Sequence, residues 1–446
     1  MAADRKDSPL TLACILVTIF LDLVGYGIIV PVLPKLITEL TGSGVSEAAV
    51  FGGFLVFLYA SMQFLFSPVL GNLSDRYGRR PILLGSLLGM TFDYVMMSFT
   101  PVVWYLFVGR FVAGVAGGSV ATATAYMADI TDAKKRTQRF GLIGAAFGLG
   151  FIIGPVIGGE LGAFGPRVPF MAAAALAFAN FLFGLFVLPE SLSKAQRRPF
   201  ELRRANPFGA LLSLRKFPVV LWLMLALFLF TTAAQAFPSV YNYYTIEKFN
   251  FSSAQIGRTL GLFGIVFALF QAFGVGPLVK RFTETPVVMV GMAAAAIAFT
   301  GIAFIHNPFY VYVYICVGAV SGLAAPAISG VLSRQVPDNA QGELQGAVNA
   351  ANSLATIIGP LAATQVFAYF TIAPQDTPGY FPGAPFILAA ILTVAAVVLF
   401  SFIALRFDLR HKPSVAEHPK VPEMSPPGQI HVPKPSKPDP TVVPPN

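Results

Sequence analysis

Charge is scarce in this chain: only 11% of its 446 residues are Asp, Glu, Lys or Arg. A soluble protein carries about 25%, so an ordinary water-solvated globule is excluded. Cysteine is down to two residues, Cys14 and Cys316, which provide neither a disulfide framework nor a metal-ligand spacing. The four histidines are His306, close to an expected turn, and His411, His418 and His431, near the C-terminus. No catalytic triad or histidine metal cluster can be assembled from them inside a membrane. A Gly-x-x-x-x-Gly-Lys phosphate loop is missing as well. ATP is therefore not expected as an energy source, the chain is not expected to be an enzyme, and no cofactor or metal is required of it.

What the chain has in quantity is apolar length. Hydrophobic residues make up 55% of it, with 42 phenylalanines. They gather into twelve stretches, roughly 10–33, 47–70, 81–100, 103–128, 138–161, 167–188, 218–245, 254–279, 286–306, 308–333, 343–370 and 382–405. Hydrocarbon offers no hydrogen bonds, so a stretch that crosses it must be a helix of about 20 residues. The first follows Asp4-Arg5-Lys6 and continues into Gly25-Tyr26-Gly27 without a small-residue cleavage site. It reads as a retained helix, not a signal peptide.

A net charge of +9 could suggest nucleic acid, but its distribution does not. With the N-terminus in the cytoplasm, only Lys35, Arg167, Lys248 and Arg258 of the 30 Lys and Arg fall in outer loops, and Arg110 lies within a span. The remainder are on the inner side, which is the positive-inside pattern. Both termini are expected in the cytoplasm, and no nucleic-acid partner is expected.

The organisation follows from the same pattern. Residues 1–190 form one six-helix bundle, 191–217 a basic central loop, 218–410 a second bundle, and 411–446 a proline-rich tail expected to be disordered. The loop carries Lys194, Arg197, Arg198, Arg203, Arg204, Arg215 and Lys216, suited to anionic lipid head groups or, less simply, to a specific partner. A single offset lays Gly71, Leu73 and Arg76 on Gly276, Leu278 and Arg281. The same offset lays Gly141, Ala145, Ala146, Ile152, Ile153, Gly154 and Pro155 on Gly346, Ala350, Ala351, Ile357, Ile358, Gly359 and Pro360. The expected fold is thus all-α and polytopic: twelve transmembrane helices in two pseudo-symmetric parallel bundles around a central cavity, able to rock for alternating access.

Symmetry fails at the intramembrane charges. Asp22, Asp93 and Arg110 map onto Leu227, Ala298 and Ile315. A charge at mid-membrane costs about 2.5–3.5 kcal/mol on insertion scales, so each needs a partner or a task. Asp93 and Arg110 lie at similar depths and could pair, as a structural salt bridge or a functional one. Asp22 has no basic partner in its own span. Burial raises a carboxyl pKa and a nearby arginine lowers it. Asp22 is therefore a candidate for loading and releasing a proton, against the alternative of a helix-packing hydrogen bond. Tyr59, Gln63, Gln235, Gln271, Asn349 and Asn352 are polar groups on otherwise greasy helices, as a site for a small amphipathic molecule would need.

The segment Gly71-Asn-Leu-Ser-Asp75-Arg76-Tyr-Gly78-Arg79-Arg80 reads as a tight turn permitted by Gly71 and Gly78, with Asp75 facing its arginines. Asp129, at the inner end of the fourth span, could pair with one of them. Such rim pairs can act as a gate. In the fifth span, Gly148 to Gly159 places Gly154 and Pro155 on a close-packing, pliable face.

These motifs resemble the major facilitator superfamily over all twelve spans. The match narrows to the tetracycline-resistance efflux proteins at Leu21-Asp22 through Pro34, Leu58 to Gln63, Phe92-Asp93-Tyr94, Leu269 to Phe273 and Gln341 to Gly346. The resemblance implies a proton-coupled exporter in a bacterial inner membrane, and a monomer is expected. Asp22, Asp93 and Arg110 would couple protons, Gln63 would lie near the drug, and Asp75 with its arginines would gate. Two positions depart from well-known members: Ala295 replaces a ninth-helix acid, and Phe267 an eighth-helix histidine, both linked to export of a metal–tetracycline complex. The leading reading is export of an amphipathic drug such as tetracycline, driven by protons. Transport of a metabolite by the same fold and a non-transporting receptor or scaffold are the alternatives.

Overall fold

The computed structural model describes residues 9–131, 135–200, 217–407 and 409. Among them are twelve helices long and apolar enough to span a bilayer. In chain order, α1 to α12 are Thr11–Ile29, Val45–Tyr77, Arg79–Phe99, Trp104–Asp129, Arg139–Phe164, Val168–Val187, Pro218–Phe249, Ser253–Phe282, Glu284–Phe304, Phe309–Arg334, Gln341–Thr371 and Ala384–Arg406. No strand occurs among the described residues. Large apolar side chains point outward, Leu405 at 89% exposure and Phe186 at 80%, as in a protein whose solvent is hydrocarbon. Arg203, Arg204, Arg215, Lys216 and the 411–446 tail lie outside the described residues.

Two boundaries differ from the expected ones. The first span, expected over 10–33, ends early: α1 stops at Ile29, and a separate helix, Leu33–Thr41, follows. Pro31 has no N–H to donate and disfavours helical geometry at Val30. The second difference lies in the expected Gly71–Gly78 turn. α2 continues to Tyr77, so Gly71 is helical, and only Gly78, at φ 112°, makes the turn. Polar Asn72, Ser74 and Asp75 end the apolar run without ending the helix.

Packing bears out the pseudo-symmetry. α1 lies on α5 and α6, and α7 lies on α11 and α12. α3 lies on α4 and α6, and α9 on α10 and α12. Apolar helices gain no hydrophobic drive from each other in lipid, so close approach through small residues replaces it. A Cβ on Gly154 would sit 2.7 Å from the Gly27 Cα of α1. Its counterpart on Gly359 would sit 2.9 Å from the Thr232 carbonyl of α7. The repeat also survives where residue identity does not. Thr283 takes the place of Gly78 and keeps a positive φ of 68° despite its side chain, a strain of about 1–3 kcal/mol. Arg79 pairs with Asp129, and their counterparts Glu284 and Arg334 pair with the charges exchanged.

The halves meet at two seams, α2 with α11 and α5 with α8. Both seams are tight only at the end opposite the Gly78 turn. There Ser46 Oγ donates to the Thr371 carbonyl at 3.0 Å, Asn242 Nδ2 to the Val30 carbonyl at 2.6 Å, and Arg258 Nε to Glu160 at 2.7 Å. Gly159 faces Gly257 at one seam, and Gly53 faces Thr364, the internal-offset counterpart of Gly159, at the other. At the basic end, which bears the Gly78 turn, the halves part around an open cavity.

Candidate functional site

The open cavity has a volume of about 680 Å³ and lies between α2, α4 and α11. Gln63, Asn349 and Asn352 line it as expected, joined by Ser67, Thr124, Ser353 and Thr356. The residues lining it are all uncharged. Three of the six expected cargo residues, Tyr59, Gln235 and Gln271, are not in its lining. Gln235 stands at the break in α7, donating to Thr356 Oγ1 at 3.3 Å, so it supports a lining residue. Gln271 is exposed in a π-helical turn, Phe270–Gly274, and does not line the cavity.

Gln63 is held by a local defect. α4 breaks at Gly117-Gly118, between the helical pieces Trp104–Ala116 and Ser119–Asp129. Gln63 Nε2 donates to the Gly117 carbonyl at 3.0 Å and approaches Tyr59 Oη at 3.4 Å. Tyr59 leads onward to the charges: the Arg110 guanidinium sits over its ring, 5.5 Å from the centroid. Gly114 makes that stacking feasible, since a Cβ there would lie 2.6 Å from the Tyr59 carbonyl.

Arg110 and Asp93 do pair. Arg110 donates through Nε to Asp93 Oδ1 at 3.3 Å, and its Nη2 contacts Asp93 Oδ2 directly. Asp93 is 0% exposed and Arg110 5%. Gly109 leaves room for the carboxylate, because a Cβ there would sit 2.5 Å from Asp93 Oδ1. Such a buried pair is hydrogen-bonded on two edges, the condition under which burying charge is tolerable. Asp22 is half-buried on α1, close enough for its charge to act on the Tyr59 and Tyr94 hydroxyls. Tyrosines that the sequence did not single out thus matter: Tyr94 packs against Gly25, and Tyr26 lies against Tyr59 with tilted rings and centroids 6.4 Å apart.

Of the residues expected to gate, Asp75, Arg79 and Asp129 form one network within the N-terminal half. Arg79 bridges Asp75 at 2.6 Å and Asp129 at 3.1 Å, and donates to Ser74 Oγ at 2.6 Å. Arg80 reaches the Leu185 carbonyl at 2.5 Å, and Arg76 is exposed and lies over Tyr77. Gly154 and Pro155 sit within α5 on its α1 face, Pro155 Cδ 2.9 Å from a Cβ placed on Gly27.

Sequence reasoning missed Glu190. Its carboxylate accepts from the backbone N–H of Arg79 at 2.8 Å, of Arg80 at 3.3 Å and of Leu192 at 3.1 Å. It therefore caps α3, where helix N–H groups lack intrahelical acceptors and the dipole favours an anion. Ser191 Oγ donates to Asp129 and Arg198 N to the Asp75 carbonyl, so the start of the central loop is strapped across this charge network. Losing a charged acceptor costs about 1.5–3 kcal/mol. Glu190→Ala is expected to raise tryptic cleavage at Lys194 and Arg197 by roughly tenfold or more. Cleavage as slow as in wild type would show that other contacts hold the strap.

Comparison with known proteins agrees with this geometry. The Major Facilitator Superfamily matches residues 15–257 and 228–438. The chain is 44% identical to the class C tetracycline resistance protein of Escherichia coli over 80% of its own length and 89% of that protein's. It is 37% identical to the class E protein of Escherichia coli, over 88% and 95% respectively. Among solved structures, a bacterial homologue of the human lysosomal transporter Spinster, inward-facing and unoccupied, aligns with a TM-score of 0.71 at 13% identity. That alignment covers 91% of this chain and 100% of the other.

Proposed function

The chain belongs to the Major Facilitator Superfamily and, within it, to the tetracycline-resistance efflux proteins, and from that premise we propose that it is a proton-coupled antiporter exporting an amphipathic drug such as tetracycline. The observation that carries this reading is one line of contact from cargo space to buried charge. Gln63 lines the cavity and touches Tyr59, and Tyr59 lies under the Arg110 bound to Asp93. A drug that displaces the Gln63–Tyr59 contact alters the surroundings of Arg110, and through it the affinity of the nearby carboxylates for a proton.

In the proposed cycle the basic end faces the cytoplasm of a bacterium, and both termini lie on that side of its inner membrane. The drug enters the cavity among Gln63, Asn349 and Asn352, and Asp22 gives up its proton. The halves then rock so that the far end opens and the basic end closes. The Asp75–Arg79–Asp129 network governs that closure, with Arg76, Arg80, Gly71 and Gly78 shaping it, while Gly154 and Pro155 carry the motion of α5 on α1. Each proton returning down 100 mV supplies about 2.3 kcal/mol. All the groups of the cycle belong to one chain, so a monomer suffices. No charged group lines the cavity among the described residues, and Ala295 is 3% exposed in the apolar core. Recognition of the cargo therefore rests on neutral hydrogen bonds and apolar contact.

The test is tetracycline uptake into everted membrane vesicles under an imposed ΔpH. Wild type is expected to accumulate the drug. Asp22→Asn is expected to lose accumulation while remaining folded and inserted. Undiminished uptake in the variant would remove the proton role of Asp22, and absence of wild-type uptake would remove tetracycline as cargo.

A further inference from the structure

Between the buried ion pair and the sealed far end lies a second, smaller space. It measures about 70 Å³, enough for about two water molecules at roughly 30 Å³ each. Its walls come from both halves. Tyr26 of α1, Tyr59 of α2 and Arg110 of α4 stand on one side. Ser239, Asn242 and Tyr243 of α7 and Thr364 of α11 stand on the other.

The polar groups at this space are incompletely used. Tyr243 is 4% exposed, and its hydroxyl has no hydrogen-bond partner among the described residues. An unmade hydrogen bond on a buried hydroxyl costs about 1–3 kcal/mol. Gly52 is what allows the hydroxyl to be there, since any side chain at that position would collide with it. Asp93 engages Arg110 through Nε and Nη2, which leaves another edge of the guanidinium for the space that Arg110 lines. Asn242 donates to the Val30 carbonyl across the halves and so forms part of the seal. Arg110 is the single formally charged residue in the lining, with Tyr26, Tyr59 and Tyr243 as its titratable neighbours. Asp93 lies behind it and Asp22 beyond Tyr59.

We propose that this space is an ordered-water site that links the Asp93–Arg110 pair to the far face, with Tyr243 as the residue that positions the water. Resting on the antiport reading, the site supplies the route by which a proton arriving from the far side reaches the carboxylates. A proton passes along the water from the far-side solvent toward Asp93 or Asp22, with no covalent chemistry at Tyr243. The site straddles both halves and is closed off by the seal in this state, so it joins the far-side solvent only as the far end opens. The route is therefore complete only in step with the transport cycle.

Tyr243→Phe removes the hydroxyl and keeps the ring. The variant is expected to slow ΔpH-driven drug uptake by about fivefold or more, the scale of one lost hydrogen bond. Drug-for-drug counterflow, which moves no net protons, should keep its rate and KM. Val56→Phe, which fills the space from α2, should give the same split by an independent route, so misfolding of one variant leaves the other decisive. Radiolytic hydroxyl labelling, which reports bound water, should modify Tyr243 in spite of its burial. Equal slowing of uptake and counterflow would make Tyr243 a packing residue. A raised counterflow KM would make the space part of the cargo site. An unlabelled Tyr243 would mean that the space is dry. Each of these overturns the water site while leaving drug antiport standing, whereas loss of wild-type uptake would count against antiport itself.

Discussion

Arg110→Met is expected to destabilise the protein by about 3–5 kcal/mol, because it strands the Asp93 carboxylate in a site with 0% exposure. Asp93→Asn combined with Arg110→Met is expected to recover most of that loss, since neither variant side chain then carries an uncompensated charge. Stability is read as thermal unfolding in detergent. Transport should behave differently. Both the single and the double variant are expected to lose ΔpH-driven uptake, so that folding returns without function. This contrast separates the two roles the pair could have. A salt bridge that only pins α3 to α4 would allow the double variant to transport once refolded. Uptake near the wild-type rate in a stable double variant would therefore remove Asp93 and Arg110 from the coupling machinery. The Tyr59 ring contributes as well, because a cation over an aromatic face is worth about 0.5–2 kcal/mol. Its loss in either variant should leave some residual destabilisation even after the charges cancel.

The Asp93–Arg110 pair was legible in the sequence because depth is countable along a span, and two opposite charges at one depth have few other partners. The twelve spans were legible for a similar reason: a run long enough to cross hydrocarbon tolerates almost no charge, so its signal exceeds that of local propensity. The ends of the spans were less so. A helix does not stop where apolarity stops, and α2 carries Asn72, Ser74 and Asp75 in its last turns. Glu190 was invisible because it acts on backbone N–H groups more than a hundred residues away in sequence, which no local pattern encodes. Tyr26, Tyr94 and Tyr243 were hidden among aromatics that make up 13% of the chain. The internal repeat was found by matching identities. It therefore missed its most telling instance, the Arg79–Asp129 and Glu284–Arg334 pairs, in which geometry is kept and sign is exchanged.

Conformational bias follows from the glycines on α5, which serve two contacts of different kinds. Gly154 and Gly158 face α1 inside the N-terminal half. A Cβ on Gly154 would lie 2.7 Å from Gly27 Cα, and one on Gly158 would lie 2.6 Å from the Ile28 carbonyl carbon. These are backbone atoms that cannot swing aside, and the crossing belongs to a unit that moves as a whole. Gly154→Leu is therefore expected to impair folding in every state. Gly257 of α8 meets the other face of α5, where a Cβ would contact the Pro155 carbonyl and lie 3.0 Å from Gly159 Cα. That contact joins the halves, and in the proposed cycle it is broken when the far end opens. Overpacking costs about 1–3 kcal/mol, which in a two-state equilibrium shifts populations about 5- to 150-fold. Gly257→Leu is expected to fold normally and to move the protein toward the state open at the far end. Ser46→Cys reports the shift, since Ser46 is buried and bonded to the Thr371 carbonyl in the closed state. Its labelling by a membrane-impermeant maleimide from the far side should rise several-fold in Gly257→Leu, with net transport falling as the return step becomes costly. If labelling stays unchanged in a well-folded Gly257→Leu protein, the α5–α8 seam does not separate during the cycle, and the rocking must pivot elsewhere.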